Sequence, residues 1–190
     1  KRAANMAVNR IMLRKGNIVD VEMLSNNSRQ EQHLCLAQTI HESIHNLHDE
    51  HNVEHSSGQK VSIGVVRMAN INPLVAVTKF LVNLQPRRNY CIHFCVYHSQ
   101  FPLAVRSFKE GGLDRALTRH DEQQLWRQKE ITDSLANAHI KHHIFVVLGT
   151  SVVEVGRDHD YDWAIAEPSS LRALVQLAGR IQRHRQLPPS

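Results

Sequence analysis

The clearest periodic stretch follows Ser28, where Leu36, Ile40, Ile44 and Leu47 recur at intervals of four, four and three and so share one face of a helix. Ser28 and Glu31 fit a capping box, in which each side chain satisfies the other's backbone amide, and the helix should run to about residue 49. Residues 1–27 are mixed, with a short helix expected over 3–13 and a turn at Lys15-Gly16-Asn17. His55-Ser56-Ser57-Gly58 is a polar break. Beyond it, short β-branched runs at 61–66, 90–97, 144–148 and 163–166 alternate with helical patterns at 73–84, 101–117, 121–138 and 170–177. That alternation predicts an α/β fold with a mostly parallel sheet and helices on both faces. The expected organisation is a helical segment, 1–57, packed on a domain formed by 58–190.

In such sheets ligands sit beyond the C-terminal ends of the strands, and two polar clusters fall near such positions. The first is Gly156-Arg157-Asp158-His159-Asp160. Its carboxylates suit a ribose hydroxyl or a water near a triphosphate, and equally the cap of an Asp-rich turn. The second is Gln176 followed by Gly179-Arg180 and Arg183, with the arginines three apart and so on one face of a helix. A planar guanidinium can bond two phosphate oxygens and offset charge that develops in phosphoryl transfer. The bland alternative is a solvated basic helix end.

The 190 residues suffice for one good core with an appended segment, and the net charge of +5 favours a polyanionic partner. Three cysteines, Cys35, Cys91 and Cys95, cannot all pair internally, which points to reduced thiols in a cytosolic setting. There is no long apolar run and no secretory signal. The chain starts at Lys1 without a methionine and stops just past the arginine cluster, so a fragment is expected.

Taken together, Thr150, Gly156 and Asp158, then Gln176, Gly179, Arg180 and Arg183, resemble the paired C-terminal motifs of superfamily 2 helicases. Tyr97-His98-Ser99-Gln100-Phe101 with Arg106 resembles the strand-end motif that precedes them. More narrowly, Val153 to Gly156, Asp158, Asp160-Tyr161-Asp162, Glu167-Pro168-Ser169-Ser170 and Arg183-His184-Arg185 resemble the CRISPR-associated helicase-nucleases of type I systems, the I-F branch in particular. The resemblance covers residues 61–186, with motor motifs at about 96–185, and implies the second RecA-like domain of an ATP-driven single-stranded DNA translocase.

It implies that Arg180 and Arg183 reach the γ-phosphate of ATP held by another domain, and that Gly156, Asp158 and Gln176 lie at the nucleotide. His98, Ser99, Thr150 and Arg106 would meet the DNA, though Gln100 stands where many relatives carry arginine. Mg²⁺ would be bound mainly by the first RecA-like domain, and a divalent metal by a nuclease domain. The implied partners are single-stranded DNA, an RNA-guided CRISPR surveillance complex, CRISPR adaptation proteins and phage anti-CRISPR inhibitors, in a bacterial cytoplasm with no membrane. The chain lacks a G-x-x-x-x-G-K-[ST] loop, Gly58-Gln59-Lys60 being its nearest approach, and lacks the family's nuclease His-Asp pair. Alone it should be inactive.

A rival motif is His41-Glu42-Ser43-Ile44-His45, a literal H-E-x-x-H on a helix, with His48 as a third candidate ligand of a zinc-dependent hydrolase. Fourteen histidines make a chance match easier, and its imidazoles are expected at the solvated margin of the apolar stripe. A non-catalytic nucleic-acid-binding module is the other alternative. Arg67 and Asn70, between a strand and a helix, are candidates for touching DNA or for capping the helix. Cys91, His93 and Cys95 would share a strand face, as a metal set or as buried thiols, and Trp126 and Trp163 are expected in the core.

Overall fold

A computed structural model describes residues 16–21, 28–121, 123–154 and 158–184. The helix expected over 3–13 lies outside them. The first described helix, α1 (Arg29–His51), begins with the expected capping box: Ser28 Oγ accepts the Glu31 amide at 3.3 Å and Glu31 Oε2 accepts the Ser28 amide at 2.7 Å. A two-residue strand β1 (Val53–Glu54) follows, then β2 (Lys60–Arg67), α2 (Ile71–Leu81), β3 (Tyr90–Tyr97) and α3 (Leu103–Leu117). The chain continues through α4 (Gln123–Trp126), α5 (Lys129–Leu135), β4 (His142–Gly149), a 3₁₀ turn (Ser151–Val153), β5 (Trp163–Ala166) and α6 (Leu171–Ala178).

β2 is the central strand. β4 pairs in parallel along its whole length and carries β3 on its far side, also parallel. β2's other edge is shared: antiparallel β1 covers Lys60 and Val61, and parallel β5 covers Gly64 to Arg67. The mostly parallel sheet is therefore as expected. Because side chains alternate along a strand, β2 sends Val61, Ile63 and Val65 to one face and Val66 to the other. One face packs Ala37, Ile40 and Ile44 of α1 and Leu74, Val77 and Leu81 of α2; the other packs Leu113 and Leu117 of α3 with Leu125, Ile131, Val153 and Leu177.

The stretch expected as one helix over 121–138 is two. A straight helix turns about 100° per residue, so positions six apart face about 120° away from each other. Leu125 and Ile131 are both buried in the same cluster, and the break at Arg127 and Gln128 lets both reach it. The carbonyl of Trp126, freed by the break, accepts the Thr132 hydroxyl at 3.2 Å. α2 starts two residues before Pro73, which is accommodated because a first-turn amide has no helical partner to lose. Trp163 is core, its ring lying so close over Gly64 that a Cβ there would sit 2.3 Å from it. Trp126 only packs at the margin of the other cluster.

Candidate nucleic-acid and nucleotide-facing sites

Parallel register sets where the strands end. Arg67, Gly149 and Tyr97 lie side by side on β2, β4 and β3, so the residues that follow each strand emerge together. There Asn70, Ser99, Gln100, Thr150 and Ser151 line a groove of about 580 Å³. Asn70 occupies the N-cap position of α2, yet its side chain makes no capping hydrogen bond. Arg67, by contrast, is buried: its Nε pairs with Glu154 at 2.5 Å and its Nη1 donates to the Glu167 carbonyl at 3.0 Å. That guanidinium holds the 3₁₀ turn and the end of β5 to the central strand. It is not available to DNA.

The groove gathers Ser99 and Thr150 but does not include the other two residues expected beside DNA. His98 stacks on Phe101, ring centroids 4.3 Å apart, and is almost wholly buried. Burial, with the charge of Lys109, lowers its pKa. Arg106 lies one turn into α3, where its Nε is 3.6 Å from Glu110.

The arginines occupy a second locus, where the chain returns after α6. Tyr161 and Ile181 form a parallel bridge; the Tyr161 amide donates to the Arg180 carbonyl at 2.9 Å, and the Gln182 amide donates to the Tyr161 carbonyl at 2.8 Å. Gln182 takes φ 48°, a left-handed conformation uncommon without a reason for a non-glycine residue. The two amides after it, of Arg183 and His184, donate to Oδ1 and Oδ2 of the fully buried Asp160 at 3.0 and 3.1 Å. Asp160 thus fixes the backbone that carries Arg183.

Side-chain contacts close the cluster. Arg183 Nε lies 2.9 Å and His184 Nε2 3.2 Å from Asp158 Oδ1. Burial opposes ionisation of Asp158, but the hydrogen bond from His184 and the charges of His184, Arg183 and His120 outweigh it and hold its carboxyl below the ordinary value. Arg180 donates from Nη1 to the Gln176 carbonyl at 3.2 Å, while its buried Nε has no hydrogen-bond partner among the described residues. Burial, then the neighbouring Arg183, lower its pKa. Arg180, Arg183, Asp158 and Gln176 are therefore one neighbourhood; Gly156 and Arg185 lie outside the described residues.

Sequence reasoning missed the supports beneath this cluster. Asp162 is buried, pairs with Arg119 at 2.9 Å and accepts the Ile63 amide at 2.6 Å. His159 lies 2.9 Å from Asp114 and 3.2 Å from the Tyr161 hydroxyl. The sequence carried only a weak signal for them: Asp158, Asp160 and Asp162 alternate, but period-two charge ordinarily marks a solvated face.

The rival H-E-x-x-H helix is placed differently from the expectation of solvated histidines. His45 and His48 have no exposed surface, because α1 lies on the sheet and both face Tyr90. His45 Nε2 accepts the Arg87 amide at 3.4 Å, and Glu42 is ion-paired with the Arg87 side chain. Cys91 and Cys95 are half-buried free thiols, and burial raises the pKa of both. No described helix is long and apolar enough to cross a membrane.

Residues 60–186 match the family described as CRISPR-associated nuclease/helicase Cas3, C-terminal. Over 186 residues the chain is 50% identical to a CRISPR-associated nuclease/helicase Cas3 of subtype I-F/YPEST from Pectobacterium atrosepticum, covering 98% of this chain and 17% of that relative. A protein of the same description from Pseudomonas aeruginosa is 44% identical over 156 residues, covering 80% of this chain and 14% of the relative. The chain spans a small part of the length of both relatives.

Proposed function

The chain belongs to the C-terminal family of CRISPR-associated Cas3 nuclease/helicases, and from that membership we propose that it is the second RecA-like domain of an ATP-dependent translocase on single-stranded DNA. The parent would unwind target DNA for degradation by a nuclease domain elsewhere in its chain. The domain would be residues 58–190, with the preceding segment, of which α1 packs on the sheet, as an addition to it. What supports the reading is the groove at the strand ends, where the exposed Ser99 and Asn70 lie beside Thr150, itself only 5% exposed. Hydroxyl and amide groups of this kind hydrogen-bond phosphate and sugar without reading bases, as a translocase requires.

The residues of the second locus fit a nucleotide phosphate. The buried Nε of Arg180 lacks a partner among the described residues, and Arg183 is about half exposed on a backbone held from beneath by Asp160. Arg180 and Arg183 would hold the γ-phosphate, with Gln176 and Asp158 beside them. ATP supplies a phosphoryl group whose transfer builds charge that arginine can offset. Arg183 must exchange its Asp158 partner to serve there, so its engagement is switched rather than permanent. Mg²⁺ is left to the first RecA-like domain. Cleft closure across that domain, followed by reopening, would move the DNA-binding groove along the strand. Single-stranded DNA and an RNA-guided surveillance complex are the partners this activity calls for.

The test is ATP hydrolysis by the full-length parent with and without single-stranded DNA. Arg180→Ala should abolish stimulated turnover while DNA still binds, and Thr150→Ala with Ser99→Ala should weaken DNA binding. Unchanged turnover in Arg180→Ala would reduce the arginine cluster to a basic surface. The isolated chain should show no turnover at all.

A further inference from the structure

The helix that carries the H-E-x-x-H motif does present metal-ligating groups to one another, but one turn further on. His48 Nε2 lies 3.1 Å from Nδ1 of His142, on β4, a residue 94 positions away in the chain. The adjacent Asp49 carboxylate completes a set whose ligand atoms all lie within 4.8 Å of one another. Zn²⁺ binds imidazole nitrogen at 2.0–2.1 Å, so two nitrogens of one tetrahedral shell stand roughly 3.3 Å apart. The observed separation is close to that edge. It is also the length of a hydrogen bond in which a single proton serves both rings, and the two readings differ only in what occupies the space between and beside them.

What surrounds the three groups favours the cation. A metal-ligating imidazole has its other nitrogen held by a hydrogen bond, and its orientation is thereby fixed. His48 Nδ1 is 2.8 Å from Ser62 Oγ, which in turn accepts Trp163 Nε1–H at 3.1 Å. His142 is stacked on Tyr90 with centroids 4.1 Å apart and planes 7° from parallel. The hydroxyl of the same Tyr90 donates to Asp49 Oδ1 at 2.6 Å, so one aromatic side chain orients two of the three ligands. Arg87 holds Asp49 Oδ2 at 3.2 Å, and a carboxylate oxygen so engaged keeps a further lone pair for a cation. His48 is fully buried, whereas the Asp49 side chain is 40% exposed, which gives an ion a way in from solvent.

We propose that His48, His142 and Asp49 form a binding site for a divalent transition cation, Zn²⁺ by its ligand chemistry, that clamps α1 to β4. Two imidazoles and one carboxylate select such an ion over Mg²⁺ or Ca²⁺, which take oxygen ligands. The role is structural: the clamp ties a helix that precedes the family-matched residues 60–186 to the central sheet. His41 and His45 take no part.

The test uses the chain stripped with a chelator and titrated with Co²⁺ as a visible probe, then with Zn²⁺ in competition. The expected result is one equivalent with tetrahedral d–d absorption, displaced by Zn²⁺, and a melting temperature raised by Zn²⁺. His142→Ala should abolish the absorption and the thermal response, and Asp49→Asn, at an exposed position, should weaken binding by about tenfold or more. His41→Ala and His120→Ala should change neither; His120 tests the other cluster, His120, Asp158 and His184. Absorption that survives in His142→Ala, or that is lost in His41→Ala or His120→Ala, overturns the assignment. So does the absence of any Co²⁺ spectrum from the unaltered chain, which leaves the two rings as a hydrogen-bonded pair.

Discussion

Replacing Asp160 with alanine removes the acceptor of two backbone amides at once. Both belong to the segment that carries Arg183, and they reach separate oxygens of one buried carboxylate. A hydrogen bond to a charged partner is worth about 1.5–3 kcal/mol, so two set a gross range of about 3–6 kcal/mol. The freed amides are only partly buried and can turn to water, which places the expected loss near the bottom of that range, at about 3 kcal/mol. For a chain of this size that corresponds to a fall of roughly 6–12 °C in melting temperature. Asp158→Ala is the internal comparison: its side chain is 53% exposed and its partners are side chains, so its loss should stay below about 1 kcal/mol. Urea unfolding of the chain measures both through the midpoint, provided the slope is unchanged. A positioning role makes a second demand, that DNA-stimulated ATP hydrolysis by the full-length parent carrying Asp160→Ala falls at temperatures where the protein remains folded. Equal losses for the two substitutions, or normal turnover with the stability loss in place, would refute the assignment of Asp160 as the support of Arg183.

Arg67→Met should cost about 3–5 kcal/mol, because it strands the buried Glu154 carboxylate; adding Glu154→Gln should recover part of it in the same unfolding assay. If Arg67 instead served DNA, the loss would appear in binding alone. Gly64→Ala places a Cβ 2.3 Å from the Trp163 ring, and should lower stability by about 1–3 kcal/mol and shift the tryptophan fluorescence. An unshifted spectrum would mean the indole does not lie over Gly64. The pKa of His45 is lowered from 6.5 to about 4 by burial first, then by His41 and Arg87, against the opposing charges of Glu42 and Asp49. The unfolded chain therefore takes up the proton more readily. Its contribution is complete above pH 6.5 and is lost as the pH falls from 6.5 towards 4, at up to ~1.4 kcal/mol per pH unit. Unfolding measured with chelator present should show at least this slope, because His48, His98 and His142 shift in the same direction, and His45→Leu should reduce it by the share of one proton; an unchanged slope would place the effect elsewhere.

Local pattern was enough to find the strands at 90–97 and 163–166 and the capped helix at Ser28, because an apolar or β-branched run and a capping pair are each written in adjacent residues. The break between α4 and α5 was not legible, since it follows from Leu125 and Ile131 having to enter one cluster built by the sheet. Ser99 and Thr150 were legible as candidates one by one. That they meet, and that His98 next to Ser99 turns away to stack on Phe101, depends on β3 and β4 ending in step at Tyr97 and Gly149. Buried polar residues were misjudged for the same reason: His45 and His48 look solvent-loving until the sheet supplies Ser62, His142 and Tyr90.

The three aspartates before β5 carry the point furthest. In a sequence, Asp158, Asp160 and Asp162 are equivalent, spaced by two and so on one side of an extended segment. In the fold each meets a different partner brought from far along the chain. Asp158, about half exposed, faces the side chains of Arg183 and His184. Asp160 meets backbone amides of the same two residues, with the His184 ring nitrogen Nδ1 3.9 Å from its Oδ2, and so holds that backbone in position. Asp162 meets Arg119 and the Ile63 amide, which anchors the whole segment to the end of α3 and to the central strand. A carboxylate's role here is set by its partners and its burial: the outermost meets side chains at the surface, and the two behind it hold backbone in place.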